Sequence, residues 1–301
     1  MVSSRAKGLI MVISGAALWG LSGTAAQVLF QEKQVTTEWL VAVRMLLSGI
    51  ALLAISAYKK LHPLSIWKER SSAKPLLWFG LIGMLGVQYT YFASIATGNA
   101  ATATLLQYLA PIYIVLYSII KERQKPSKTT SGAILLAIAG TFLLMTNGVA
   151  NELTVSLVSV IWGVLSGVAL AFYTLSSALL LKKWNSLIVV GWGMMIGGAA
   201  MCLILPSIFS TNIIFGMDTW LLILFVVVFG TLIAFLLFVE SIRHLSPTES
   251  SLLSSVEPLS AVAASFVFLH VSFGEWQMVG ALCIIGTVGM LSVKRVQKSI
   301  S

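Results

Sequence analysis

Val256-Glu257-Pro258-Leu259 lies within an apolar stretch running from 247 to 270, and Leu109-Ala110-Pro111-Ile112 lies within another running from 99 to 120. Written against each other at an offset of about 145 residues, the two halves of the chain keep matching. Tyr91 falls opposite Phe238 and Ser94 opposite Ser241, while Leu18-Trp19-Gly20-Leu21 falls opposite Ile161-Trp162-Gly163-Val164. Further on, Ser131-Gly132-Ala133 meets Val279-Gly280-Ala281. Any one of these pairs could recur by chance in apolar sequence, but several in the same order mark an internal repeat.

The repeat unit is a set of membrane spans. Of 301 residues, 58% are hydrophobic and only 10% are charged, and mean hydropathy is +0.96, where a soluble domain is about 25% charged. A bilayer core takes about 20 apolar residues per helix. Spans of that kind fall near 8–30, 37–57, 75–97, 99–120, 129–147, 154–181, 186–209, 218–242, 247–270 and 276–293. Thr97-Gly98-Asn99 divides the third from the fourth as a tight uncharged turn, against the alternative of nine spans with one very long helix. The first stretch follows Arg5 and Lys7 as in a signal peptide, but it is too long for an h-region and lacks a convincing cleavage site, so it is expected to stay on the protein. The expected fold class is an all-α membrane protein, ten transmembrane helices arranged as two five-helix repeats, 8–147 and 154–294. Five spans per repeat is an odd number, so the second copy sits upside down relative to the first.

Charge supports that count. With the N-terminus inside, the cytoplasmic segments hold seventeen of the 19 Lys and Arg, Arg44 lies within a span, and Lys33 stands alone outside. That is the asymmetry expected of an inner or plasma membrane protein with both termini cytoplasmic. The net charge of +9 thereby reads as a topology signal and an attraction to anionic lipid heads, not as a nucleic-acid surface. Cys202 and Cys283 fall inside apolar spans, where a free thiol behaves as a small hydrophobe. His62, His244 and His270 show no ligand spacing, so no metal and no cofactor is expected. No metalloprotease, phosphate-loop or Ser-His-Asp pattern is present to suggest an enzyme.

Ionisable groups within spans carry the functional signal, because a charge at mid-bilayer persists only when paired, watered or protonated. Glu257 lies roughly ten residues from either end of its span, with Ser250, Ser254, Ala261 and Ser265 on the same helical face. Pro258 removes a backbone donor beside it. Glu257 thus reads either as a proton- or substrate-binding carboxyl or as a structural hydrogen bond that pins a disturbed helix. Arg44 needs a carboxylate, backbone carbonyls or a substrate anion. Glu240, nearer the end of the eighth span, is within a turn of Arg243 and His244 and is a second candidate for proton coupling. Glu249 merely suits a helix N-terminus. Trp19, Trp162 and Trp192 lie deeper than the interfacial Trp39, Trp67, Trp78, Trp220 and Trp276, and with a carboxylate could form a box for a cation or an aromatic ring. Tyr91, Gln88 and Gln107 add polar groups in spans three and four. The substrate-binding set is therefore Trp19, Arg44, Gln88, Tyr91, Gln107, Trp162, Trp192, Ser254 and Glu257. Glycines at helical spacing, Gly163 with Gly167 and Gly193 with Gly197, read as close contacts between cavity-lining helices. Gly132, Gly140, Gly280 and Gly286 could serve a weak homodimer of an otherwise monomeric chain.

At these residues the chain resembles the drug/metabolite transporter superfamily, and within it the ten-span proteins with two EamA-type repeats. The likeness covers nearly the whole chain: the Trp-Gly of each repeat, Arg44, the prolines of the fourth and ninth spans, Glu257 and Gly274-Glu275. It implies a proton-linked or facilitative carrier of small metabolites, commonly an exporter of amino acids or related compounds, whose cavity spares the fifth and tenth helices. It also implies a structural or gating partner for Arg44. Ala110 stands where the second copy has Glu257, so the halves are chemically unequal. Inverted repeats place a solute near the membrane midplane between the halves. A channel-like, uniporting or scaffold protein without proton coupling is the alternative expectation.

Overall fold

A computed structural model describes residues 4–122, 128–149, 154–206, 216–241, 244–245, 253–254 and 256–300. Ten helical segments run through them: α1 (Ser4–Gln31), α2 (Thr37–Tyr58), α3 (Arg70–Thr97), α4 (Ala100–Lys121), α5 (Lys128–Thr146), α6 (Leu157–Leu181), α7 (Ser186–Ile204), α8 (Met217–Phe238), α9 (Val256–Leu269) and α10 (Glu275–Ile300). Among the described residues, α1, α2, α3, α4, α6, α7 and α8 are each long and apolar enough to cross a membrane, and α5 and α9 are shorter apolar helices. The span expected at 247–270 is described as a helix only from Val256, since 246–252 lie outside the described residues.

Local chemistry sets the ends. The turn expected at Gly98 is present: Asn99 caps α4 by accepting from the Thr102 amide at 2.8 Å, as short polar side chains do at orphaned amides. Thr36 caps α2 through the Trp39 amide at 3.4 Å, and Asn185 caps α7 through Leu187 at 3.0 Å. α7 ends at Ile204, short of the expected 209, because Pro206 disfavours helical geometry in the residue before it.

Neighbouring helices follow the inverted repeat. α3 packs on α6 as α8 packs on α1, α4 packs on α6 as α9 packs on α1, and α2 lies along α7. α4 also crosses α9, while α5 and α10 pair with each other and touch the rest lightly. The contact points are glycines. A Cβ at Gly20 would stand 2.5 Å from the Glu257 carbonyl and 2.7 Å from the Ala261 nitrogen, so α1 and α9 touch backbone to backbone. Gly163 faces Leu106 and Gly167 faces Tyr113, closing α6 on α4. The glycines read as candidates for a homodimer are used inside the chain: Gly140 and Gly280 each face the other's carbonyl, at 2.8 Å and 2.6 Å, and Gly132 and Gly286 face Met290 and Leu136.

Two wide helical turns were not anticipated. Phe79–Met84 in α3 and Phe225–Ile233 in α8 have the π-helical hydrogen-bond pattern, with Leu85 N donating to Gly80 and Ala234 N to Phe229, five residues back. In the register that pairs Pro111 with Pro258 the two segments overlap, and each carries a glycine that faces a partner helix. Gly83 meets Tyr173 and Phe172 on α6, and Gly230 meets Ser22 on α1.

At the face where α1 begins, Lys183 after α6 pairs with Glu69 before α3 at 2.5 Å, and the Trp184 ring nitrogen donates to Ser72 at 2.9 Å. On the opposite face Lys33 pairs with Asp218. The beginning of α1 and the end of α6 share one face, which is the inverted relation expected of the two halves.

Substitution of Gly20 by Ala is expected to force α1 from α9 at a cost of about 1–3 kcal/mol and to lower the melting temperature in detergent. Gly289→Ala, with nothing within 4 Å of the added carbon, should be neutral or stabilise by up to about 1 kcal/mol through helix propensity. The Lys183 hydrogen bond holds the exposed Glu69 carboxyl below its ordinary range. That contact stabilises the fold above the ordinary carboxylate range and is lost as pH falls through the depressed value. A small melting-temperature deficit of Glu69→Gln at neutral pH should therefore vanish in strong acid.

Candidate functional site

Where backbone hydrogen bonds are broken inside a membrane, the freed groups need other partners. Pro111 has no amide to offer Gln107 four residues back, and α4 breaks at Tyr108-Leu109 between helical pieces Ala100–Gln107 and Ala110–Glu122. Pro258 likewise leaves the Ser254 carbonyl without its helical donor. The Tyr108 hydroxyl fills that place by donating to the Ser254 carbonyl, and its oxygen lies 3.4 Å from Glu257 Oε2. The Glu257 amide also donates to Ser254, at 2.9 Å. The break of one repeat is thus tied to the break of the other, with the Glu257 carboxyl at the join.

Glu257 is half-buried in the first turn of α9 as described, beside Gly20 of α1. Ser260 Oγ donates back to the Glu257 carbonyl at 2.8 Å, so this turn is held by side chains as well as by the helix. Arg44, 6% exposed, donates from Nε to Thr231 Oγ1 at 2.9 Å and lays its guanidinium over the Phe92 ring, 4.6 Å from the centroid. Among the described residues its terminal nitrogens have no hydrogen-bond partner. Arg44 and Glu257 are close enough to feel each other's charge, yet they form no ion pair. One turn along α2 from Arg44, the buried Ser48 hydroxyl also has no partner. Tyr91 bonds Thr104 Oγ1 at 2.9 Å and rests its hydroxyl against Gly23, closing α3 onto α4 and α1. The result is a guanidinium and a carboxyl group that form no ion pair at the meeting of the two repeats, each with hydrogen-bonding capacity to spare among the described residues.

The remaining candidates divide. Gln88 is half-buried on α3 and makes no side-chain hydrogen bond among the described residues, whereas Gln107 is turned to α6 and donates to Ser166 at 2.6 Å. The three deep tryptophans do not form one box. Trp19 packs on Phe238 at 5.1 Å. Trp162 packs on Tyr89 at 5.6 Å, and Tyr89 reaches Glu38 at 3.1 Å. Trp192 is drawn to the basic face, where its nitrogen donates to the Pro63 carbonyl at 2.8 Å and its ring meets Trp67 at 5.1 Å. Sequence depth placed it near the midplane, but the short helical turn Pro63–Lys68 folds in over it. Glu240 is half-buried near the end of α8; Arg243, Glu249 and Ser250 lie outside the described residues. Tyr108 and Thr231 were not among the expected site residues. The place of Tyr108 three residues before Pro111 was a usable signal. No group of His, Cys, Asp and Glu suited to a metal occurs among the described residues.

The family model described as the EamA-like transporter family matches residues 6–146 and 157–293. An uncharacterized inner membrane transporter, YicL, of Salmonella typhimurium is 35% identical over 294 residues, covering 97% of each chain. The uncharacterized transporter YwfM of Bacillus subtilis is 25% identical, with 96% of this chain and 95% of that one aligned. A WAT1-related chloroplastic protein of Arabidopsis thaliana is 23% identical over 86% of this chain and 64% of its own. A crystal structure of a protein 17% identical superposes with a TM-score of 0.64 over 97% of this chain and 99% of the other, a likeness of fold.

Tyr108→Phe removes the donor that the Ser254 carbonyl gained when Pro258 removed its own. The expected outcome is a loss of about 1 kcal/mol of stability, read as a lower melting temperature, with Tyr113→Phe as a control that leaves it unchanged.

Proposed function

The chain belongs to the EamA-like transporter family, and from that premise we propose that it is a secondary carrier which exports or exchanges a small amino-acid-like, aromatic or cationic metabolite by alternating access. The observation that carries this reading is the unpaired couple of Arg44 and Glu257 between the repeats. A zwitterion could offer its carboxylate to the free guanidinium nitrogens and its ammonium to Glu257. An aromatic or cationic solute would use Glu257 with the neighbouring rings. Solvent-exposed Lys and Arg collect at the face where α1 begins, which supports an orientation with both termini in the cytoplasm.

Proton linkage follows from competition at one carboxyl. With no solute bound, a protonated Glu257 can donate to the Tyr108 oxygen while that hydroxyl donates to Ser254. A cationic group arriving at Glu257 displaces the proton, and a proton arriving from the far face displaces the solute. The inverted packing, α9 on α1 and α4 on α6, provides two arrangements of similar contacts between which the site is opened to one face or the other. The chain thus uses membrane lipid as its solvent and protons as its coupling ion, without a cofactor.

In proteoliposomes, entry of radiolabelled L-phenylalanine, L-threonine and L-lysine should be saturable for at least one and should respond to an imposed pH gradient. Glu257→Gln should remove that response while leaving the protein folded by thermal shift. Wild-type rate and pH dependence in Glu257→Gln would overturn the coupling role, and flux that never saturates would point to a pore.

A further inference from the structure

The hydroxyl that receives Arg44 belongs to one of the two wide turns. Thr231 lies inside the Phe225–Ile233 segment of α8. Its Oγ1 accepts from Arg44 Nε at 2.9 Å and donates to the Val226 carbonyl five residues back, also at 2.9 Å. Thr231 is 2% exposed, so both bonds are shielded from competing water. The same hydroxyl therefore links the solute-facing guanidinium to a turn that carries one more residue than an α-helical turn. Such turns can migrate or close by shifting one hydrogen bond at a time, and they recur at functional sites. Here one stands in each repeat at equivalent positions. Gly230 lets its turn press on Ser22 of α1, while Gly83 in the other turn lies in ordinary contact with Tyr173 and Phe172 of α6. α1 is the helix that touches Glu257 through Gly20, so a change in the α8 turn also bears on the other half of the solute site.

We propose that Thr231 is a positioning residue for transport: it transmits the state of Arg44 to the wide turn of α8, and the two symmetry-related turns are the paired hinges of the conformational cycle. This rests on the reading of Arg44 as part of the solute site. When a solute anion engages the guanidinium, the pull on Nε changes, and among the described residues the Thr231 hydroxyl is the side-chain hydrogen bond through which that change reaches α8. Its loss frees the Val226 carbonyl and lets the turn relax. Because the halves exchange roles as the carrier reverses, relaxation of one hinge alters the other.

Hydrogen–deuterium exchange of the full-length protein in lipid nanodiscs, with no ligand added, tests this directly. Thr231→Val keeps the shape and removes the donor and acceptor; it should speed exchange roughly fivefold or more at the amides of 225–234 and also change it measurably at 79–85. Thr231→Ser keeps the hydroxyl and should restore both segments, and Arg44→Lys, which lacks the fixed Nε geometry, should behave as Thr231→Val. Unchanged exchange in Thr231→Val, or a change confined to α8, would overturn the proposal, the second outcome marking a purely local structural bond. If Thr231→Val does not fold, Arg44→Lys against Thr231→Ser makes the same comparison. Proteoliposomes free of any flux would sink the carrier reading while leaving this hinge measurement to be judged by itself.

Discussion

A backbone carbonyl stripped of its helical donor cannot look to water for a substitute in the middle of a bilayer, and the centre of this molecule is organised around two such carbonyls. Pro111 and Pro258 create them in equivalent helices. The remedy for one, the Tyr108 hydroxyl on Ser254, comes from the break in the other repeat. The Ser254 carbonyl also accepts from the Glu257 amide at 2.9 Å, so the Tyr108 hydroxyl is its second donor and a bond between the repeats. The same bond sets the position of the carboxyl next to Pro258, so structure and chemistry at Glu257 have one origin.

Close approach of the helices is the second condition. No hydrophobic force draws apolar helices together in lipid, so contact is won by van der Waals packing of small residues. Gly20 against α9, Gly163 and Gly167 against α4, and Gly230 of the α8 wide turn against α1 supply it where α1 and α6 act as the centre of each half. The pairing of Gly140 with Gly280 builds a separate two-helix unit from the last helices of the repeats.

Fold was legible because the features that encode it are one-dimensional. Span lengths, the alternation of Lys and Arg from Arg5 to Lys183, and the matched Trp-Gly and Pro positions survive any ignorance of side-chain direction. The centre was legible in part, since Arg44 and Glu257 are conspicuous charges in apolar sequence. Trp192 was misplaced because depth along a span does not reveal which loop folds over it: Pro63 and Trp67 are far away in the chain. Gln107 is equally polar whether it faces a cavity or Ser166. The wide turns left no trace in residue type, because Phe225–Ile233 reads as apolar helix and only the hydrogen-bond register distinguishes it. Thr231 was therefore one more hydroxyl in a span until the Val226 carbonyl and Arg44 were seen on either side of it.

The inequality of Ala110 and Glu257 has a thermodynamic consequence. Were the repeats chemically identical, the two access states would be mirror images of equal free energy and the empty carrier would divide its time evenly between them. On the alternating-access cycle proposed above, placing the carboxyl, and the tyrosine that faces it, in different halves lifts that degeneracy, so the resting protein would lean to one state and its apparent affinities on the two sides of the membrane would differ. Detailed balance still forbids such a bias from pumping anything. It can set how readily the carrier loads on each side, while the direction of net movement is left to whatever gradients the cell maintains.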